Sequence, residues 1–332
     1  AIAFALTCTA ASAQNAYIAN YADHTVSVIN TATNTVTTTV PVGNSPYGVS
    51  VSPNGSKVYV TNSGSDNVSV IDTATNTVTT TVAVGDGPHG VSVSPDSSKV
   101  YVTNSFSDNV SVIDTATNTV TNTVAVGYRP LDVTVSLDSS KVYVANYVSN
   151  NVSVINAANN TVTNTVTVGS LPGTLSASPD GLKVYVTNSD GNTVSVINTA
   201  TNTVTATVAV GSIPYGVSVS PNGLKVYVTG SSNKVYVINT ATNTVTDTVT
   251  VGYGPYGVSV SPDGSKVYVA NRSSGTVSVI DTATNTVMDT VNVGINPISY
   301  GNFIAPAPDP EAVPTLSQWA MIGLGLLLAG LA

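Results

Sequence analysis

Few side chains in this sequence are equipped for chemistry, and most of them sit at one recurring place. Tyr47, His89, Tyr215 and Tyr256 each follow a proline, and Leu131, Gly173 and Ile298 hold the equivalent place after Pro130, Pro172 and Pro297. Aromatic rings gathered at one opening stack on flat surfaces, and their polar tips make hydrogen bonds, so three tyrosines and a histidine suit a planar or sugar-like ligand. One copy departs from the others. In Tyr128-Arg129-Pro130-Leu131-Asp132, Arg129 and Asp132 put charges where the other copies carry neutral residues. His89, Arg129 and Asp132, with Tyr47, Tyr215 and Tyr256, therefore form the candidate ligand-binding site. Drift among repeats accounts for the same residues, and Arg129 and Asp132 then read as a surface ion pair of little energetic weight.

Other chemistries lack their parts. The chain has two histidines, His24 and His89, and one cysteine, Cys8. A zinc or copper site needs three or four such ligands converging, so no metal site and no cofactor is expected. Oxygen-rich loops such as Ser65-Asp66-Asn67 offer adventitious calcium ligands, but no twelve-residue calcium loop is present. The only glutamate is Glu311, and no paired carboxylates, nucleophile elbow or glycine-rich phosphate loop stand out, so no catalytic residue is assigned. The formal net charge is −8 with nine basic residues scattered along the chain, which disfavours nucleic acid as a partner.

The elements that hold the candidate site recur with it. Ser52-Pro53-Asn54-Gly55-Ser56-Lys57-Val58-Tyr59-Val60-Thr61-Asn62 reads as a tight turn followed by a strand. Its tyrosine returns at Tyr17, Tyr59, Tyr101, Tyr143, Tyr185, Tyr227 and Tyr268, spaced by 42 residues and once by 41. Each unit carries four β-branched runs separated by turns: Tyr47 to Ser52, Lys57 to Asn62, Asn67 to Ile71 and Thr77 to Val84. Turn asparagines at Asn34, Asn76, Asn118, Asn160, Asn202, Asn243 and Asn285 count seven units again. No segment of the array has a helical period, which excludes helical solenoids.

The fold class is all-β: a seven-bladed β-propeller of four-stranded antiparallel blades. The first unit lacks its opening strand, and Tyr300 to Ile304 is an orphan first strand that should complete that blade. Val on one face and Ser or Thr on the other should pack blade against blade, with each tyrosine ring buried and its hydroxyl partnered.

The recurring Lys57-Val58-Tyr59-Val60-Thr61-Asn62, the Ser94-Pro95-Asp96 turn and Val68-Ser69-Val70-Ile71-Asp72 resemble the YVTN family of β-propeller repeats. That resemblance implies export or surface display. Val313-Pro314-Thr315-Leu316-Ser317-Gln318-Trp319 and the apolar run after it resemble the IPTL-CTERM sorting signal of Gram-negative bacteria. Pro314, Thr315, Leu316, Ser317 and Trp319 match its motif, while Val313 replaces the usual Ile and an Arg-rich tail is absent. Recognition by an exosortase-like membrane enzyme is implied.

The domain reading is a signal peptide at 1–13, the propeller at 14–305, a Pro-rich spacer at 306–313 and a sorting segment at 314–332 read as a membrane helix. The expected function is an exported, non-catalytic binding scaffold at the cell surface or outside the cell, with a glycan or protein as partner. Some propellers resemble lactonases, and a metal-dependent hydrolase at the channel mouth is the alternative.

Overall fold

Short β-branched runs bounded by Pro, Gly, Asn and Asp cannot form anything longer than hairpins. A computed structural model of the chain, which describes residues 14–306, shows 27 such strands, numbered β1 to β27 in order. They form seven antiparallel sheets arranged as the blades of a seven-bladed propeller. The second blade is typical: β4 (Pro46–Val51) is innermost, followed by β5 (Lys57–Asn62), β6 (Asn67–Asp72) and β7 (Thr77–Ala83). The innermost strands of the next five blades are β8 (Pro88–Val93), β12 (Pro130–Val135), β16 (Pro172–Ala177), β20 (Pro214–Val219) and β24 (Pro255–Val260).

The turns follow their residues. Gly55 takes the positive φ of the Pro53-Asn54-Gly55 turn, and all seven turn asparagines sit in the left-handed region. The residue missing from the one 41-residue interval is lost from the loop between β21 (Lys225–Gly230) and β22 (Lys234–Asn239), outside any strand.

The core lies between blades. Tyr59, Val68 and Val70 of one blade meet Val91, Val93, Val100 and Val102 of the next, all buried. All seven repeat tyrosines bury their rings. Only two hydroxyls find the expected partner: Tyr17 donates to Asn76 Oδ1 at 3.2 Å and Tyr268 to Asn34 Oδ1 at 3.1 Å. The hydroxyls of Tyr59, Tyr101, Tyr143, Tyr185 and Tyr227 are buried without one, and burial pushes each phenol up to about 12. Six lysines staple neighbouring blades by donating to a turn carbonyl. Lys99 reaches Ala157 O at 2.6 Å, and Lys266 reaches Thr31 O at 2.6 Å across the closure.

The first blade, β1 (Asn15–Asn20), β2 (Thr25–Asn30) and β3 (Thr35–Pro41), has three regular strands. As expected, its inner edge is covered by the end of the chain. Tyr17 N–H donates to Phe303 O at 2.8 Å, Ala305 N–H to Asn15 O at 2.8 Å and Ile298 N–H to Ala19 O at 2.8 Å. The cover is not a continuous strand. From Pro46 to Pro53 in β4 and its turn is seven steps, whereas Pro297 to Pro306 takes nine. The two extra residues are Tyr300-Gly301. They bulge towards β4, whose Val49 and Val51 N–H groups donate to Tyr300 O and Asn302 O at 2.8 and 2.9 Å. Gly301 is required there: its φ is +96°, and a Cβ would stand 2.8 Å from Val49 O.

Gln14 and Pro306 both leave on the face of the Pro-Asn-Gly turns; Pro306 packs beside Gly55. The expected signal peptide and C-terminal helix, and the spacer beyond Pro306, lie outside the described residues. Among the described residues no helix is long and apolar enough to cross a membrane.

Phe303 is fully buried in the closing core with Tyr17, Ile18 and Ile304. Phe303→Ala should lower the free energy of unfolding by about 3–5 kcal/mol in denaturant titration. Phe106→Ala, at a position 70% exposed, should change it by about 0.5 kcal/mol or less. Equal effects would contradict the closure described.

Candidate functional site

Each innermost strand begins at the end of the channel away from Gln14 and Pro306. The proline that opens it carries the next side chain into the mouth. Tyr47, His89, Leu131, Gly173, Tyr215 and Tyr256 all line one cavity of about 300 Å³ there, as the repeat register predicts. Ile298 does not: it is fully buried, and the bulge brings Tyr300 to the cavity instead. Pro297 pairs with Asn20 as Pro46 pairs with Asn62, yet the Ile298 side chain is buried and Tyr300, from the insertion that follows, takes the place in the mouth.

The aromatic groups form two stacked pairs. Tyr47 and His89 have ring centroids 4.0 Å apart, and Tyr215 and Tyr256 4.3 Å apart. Tyr300 stands between the pairs, 6.4 Å from Tyr47, 6.3 Å from His89 and 6.3 Å from Tyr256. Tyr21 backs Tyr47 edge-on at 5.2 Å. Burial raises the Tyr300 phenol well above its ordinary value and the Tyr215 phenol to about 12, so both stay neutral hydrogen-bonding groups. Burial, aided by the nearby Arg129 charge, lowers His89 to about 4, so its ring is neutral at pH 7. His89 Nδ1 is buried with no partner.

Arg129 and Asp132 do not form the surface ion pair considered from sequence. Arg129 is exposed on the rim, its guanidinium 5.4 Å from the Tyr147 ring centroid. Asp132 is 2% exposed and packs between innermost strands: Oδ2 accepts the Leu175 N–H at 3.0 Å, and Oδ1 has no partner. Its neighbour Gly90 has no room for a side chain, since a Cβ would lie 2.6 Å from Asp132 Oδ1. The two residues are parted because β12 alternates: Arg129 precedes the strand, while Asp132 falls where the other blades place Gly48, Gly90 or Gly216. Asp132 is thus not a wall of the cavity, though its charge reaches Tyr300.

Sequence reasoning missed Tyr300, Tyr147 and Arg272. Tyr147 and Arg272 both replace the serine found at Ser63 and Ser105, a break visible in the repeat. Arg272 lies 5.3 Å from the Tyr256 ring centroid, and its buried Nε has no partner. Among the described residues no three His, Cys, Asp or Glu side chains gather as a metal site. Asp66, in the loop considered for calcium, accepts the Gly87 N–H through Oδ1 at 2.9 Å.

The seven-blade ring and its repeat agree with the comparison of this chain with known families, in which YNCE-like β-propellers match residues 1–96, 49–139 and 130–238. The chain belongs to the YNCE-like β-propeller family. This YNCE-like propeller also carries an IPTL-CTERM motif over residues 311–332, the sorting signal read at Pro314 to Trp319. Among solved structures it is similar to hydrazine synthase of Kuenenia stuttgartiensis, at 23% identity and TM-score 0.71, covering 80% of this chain and 90% of that one. It is also similar to a functionally unknown protein of Desulfotomaculum acetoxidans DSM 771, at 17% identity and TM-score 0.75, covering 86% and 99%. Both likenesses concern the fold. No curated protein matches the chain significantly.

Burial raises Asp132 to about 7, against an unfolded value of about 4. The folded state holds this proton more tightly, so this group's contribution to stability falls as pH rises from about 4 to 7. Asp132→Asn should therefore gain melting temperature over the parent progressively from pH 4 to pH 8. Parallel pH curves for the two proteins would contradict the buried, partly unpartnered carboxyl.

Proposed function

We propose that this YNCE-like propeller is an exported, non-catalytic binding module that takes a planar or sugar-like ligand at its aromatic mouth. The observation that carries the reading is the pair of stacked aromatic groups, Tyr47 with His89 and Tyr215 with Tyr256, facing each other across Tyr300 in one 300 Å³ cavity. A cavity of that size is at the lower end of those that hold small molecules. Neutral phenols and a neutral imidazole supply hydrogen bonds without the cost of burying charge.

Sorting by the C-terminal segment fits the same reading. The IPTL-CTERM motif favours export and a sorting enzyme of exosortase type as a partner, at the cell surface or envelope of a Gram-negative bacterium. The last described residue, Pro306, leaves on the face opposite the aromatic mouth. Attachment through the tail leaves the mouth pointing away from the attachment point.

Glycan-array screening of the purified protein tests the reading. A sugar that binds should lose about tenfold or more in affinity on Tyr256→Ala, since one stacked ring contributes on the order of 1–3 kcal/mol by analogy with base stacking. The melting temperature should stay close to the parent's, because Tyr256 is partly exposed in the mouth. A ligand that binds both proteins equally would place its site elsewhere. Elemental analysis should find no stoichiometric metal; a tightly held one would favour the hydrolase alternative.

A further inference from the structure

The chain has two arginines: Arg129 lines the aromatic mouth, and Arg272 lies over Tyr256, one of its walls. The remaining basic residues are lysines, and six of those seven are bound to turn carbonyls at the opposite face. Arg129 comes from the blade that opens with β12, and Arg272 from the blade that opens with β24, three blades further around the ring. Each has its guanidinium carbon over a tyrosine of the site, at 5.4 Å from the Tyr147 and 5.3 Å from the Tyr256 ring centroid. Both positive charges also act on the Tyr47 hydroxyl, so their fields overlap inside the mouth.

Two orphaned groups point to what the site lacks. Arg272 Nε is a buried donor with no partner, and His89 Nδ1 is buried and unpartnered beside Tyr47. An unpartnered buried donor on a charged group is costly and is relieved by an acceptor, best of all an anionic one. The protein as a whole carries −8, so two fixed cations at one opening are a local exception and not a general attraction for polyanions. The tyrosine faces suit the C–H faces of a pyranose ring.

Resting on the binding reading above, we infer that the ligand is an acidic sugar: a hexuronate ring held among Tyr47, Tyr215, Tyr256 and Tyr300, with its carboxylate paired by Arg129 and Arg272.

The test is isothermal titration of the full chain with oligomers of galacturonate, glucuronate and mannuronate, each against the neutral hexose oligomer of equal length. At least one acidic oligomer should bind about tenfold or more tighter than its neutral partner, the yield of one charge-assisted hydrogen bond. That preference should shrink as salt is raised. Arg129→Gln and Arg272→Gln should each reduce the acidic-to-neutral ratio towards one, and Arg272→Lys should restore part of it only, because an ammonium cannot pair in two places. Circular dichroism and melting temperature of each variant identify any that fail to fold, for which the salt series on the parent decides. Equal binding of acidic and neutral oligomers overturns this inference and leaves the sugar-binding reading standing. No binding of any oligomer, acidic or neutral, overturns both.

Discussion

The segment from Pro297 to Ala305 must meet the first blade, and the rest of the molecule depends on that meeting. It joins residues far apart in the chain; Ser299 Oγ accepts the Ala19 N–H at 2.9 Å across 280 positions. No local turn assists this contact, so its free energy must come from burial and backbone pairing that outweigh the entropy of holding the ends together. Phe303, Ile304 and Ala305 supply the burial within a core that spans three blades, and the Tyr17–Phe303 and Ala305–Asn15 hydrogen bonds supply the pairing. Without it, two sheet edges stand open.

The closure also shapes the site. A strand of ordinary length would leave the channel lined by seven repeated positions, with no Tyr300 between the stacked pairs. The two-residue Tyr300-Gly301 bulge fills that axis, pairs with β4, and gives the upper cavity its central ring. Bulges commonly re-aim a side chain next to a binding site at a small cost in regular pairing. Closing the ring and placing Tyr300 are thus accomplished by the same residues.

Most of the architecture is legible in the sequence because one unit recurs and each copy repeats the same turn chemistry. Pro53-Asn54-Gly55 and Asn76 adopt the conformations their residue types favour, and six of the seven positions after proline line one mouth. What escapes the repeat escapes for physical reasons. Tyr300 enters the mouth in place of Ile298 through an insertion that only a count against Pro306 reveals. Proximity in sequence groups Asp132 with Arg129, yet strand alternation buries it three residues later. Tyr147 and Arg272 break the pattern on a loop outside the register from which the site was first read, and their relation to Tyr256 and Arg129 depends on how blades sit around the ring.

The proposed function requires ligand in the aromatic mouth and not in the larger cavity of about 450 Å³ at the other end of the channel, which is lined by Ser-Pro turns. A crystal structure with a hexuronate oligomer bound at saturation is the most direct test. A sugar ring stacked between Tyr47 with His89 and Tyr215 with Tyr256, over Tyr300, is the predicted result. Ligand ordered at the opposite opening or on the outer strands, with the aromatic mouth empty, would contradict it.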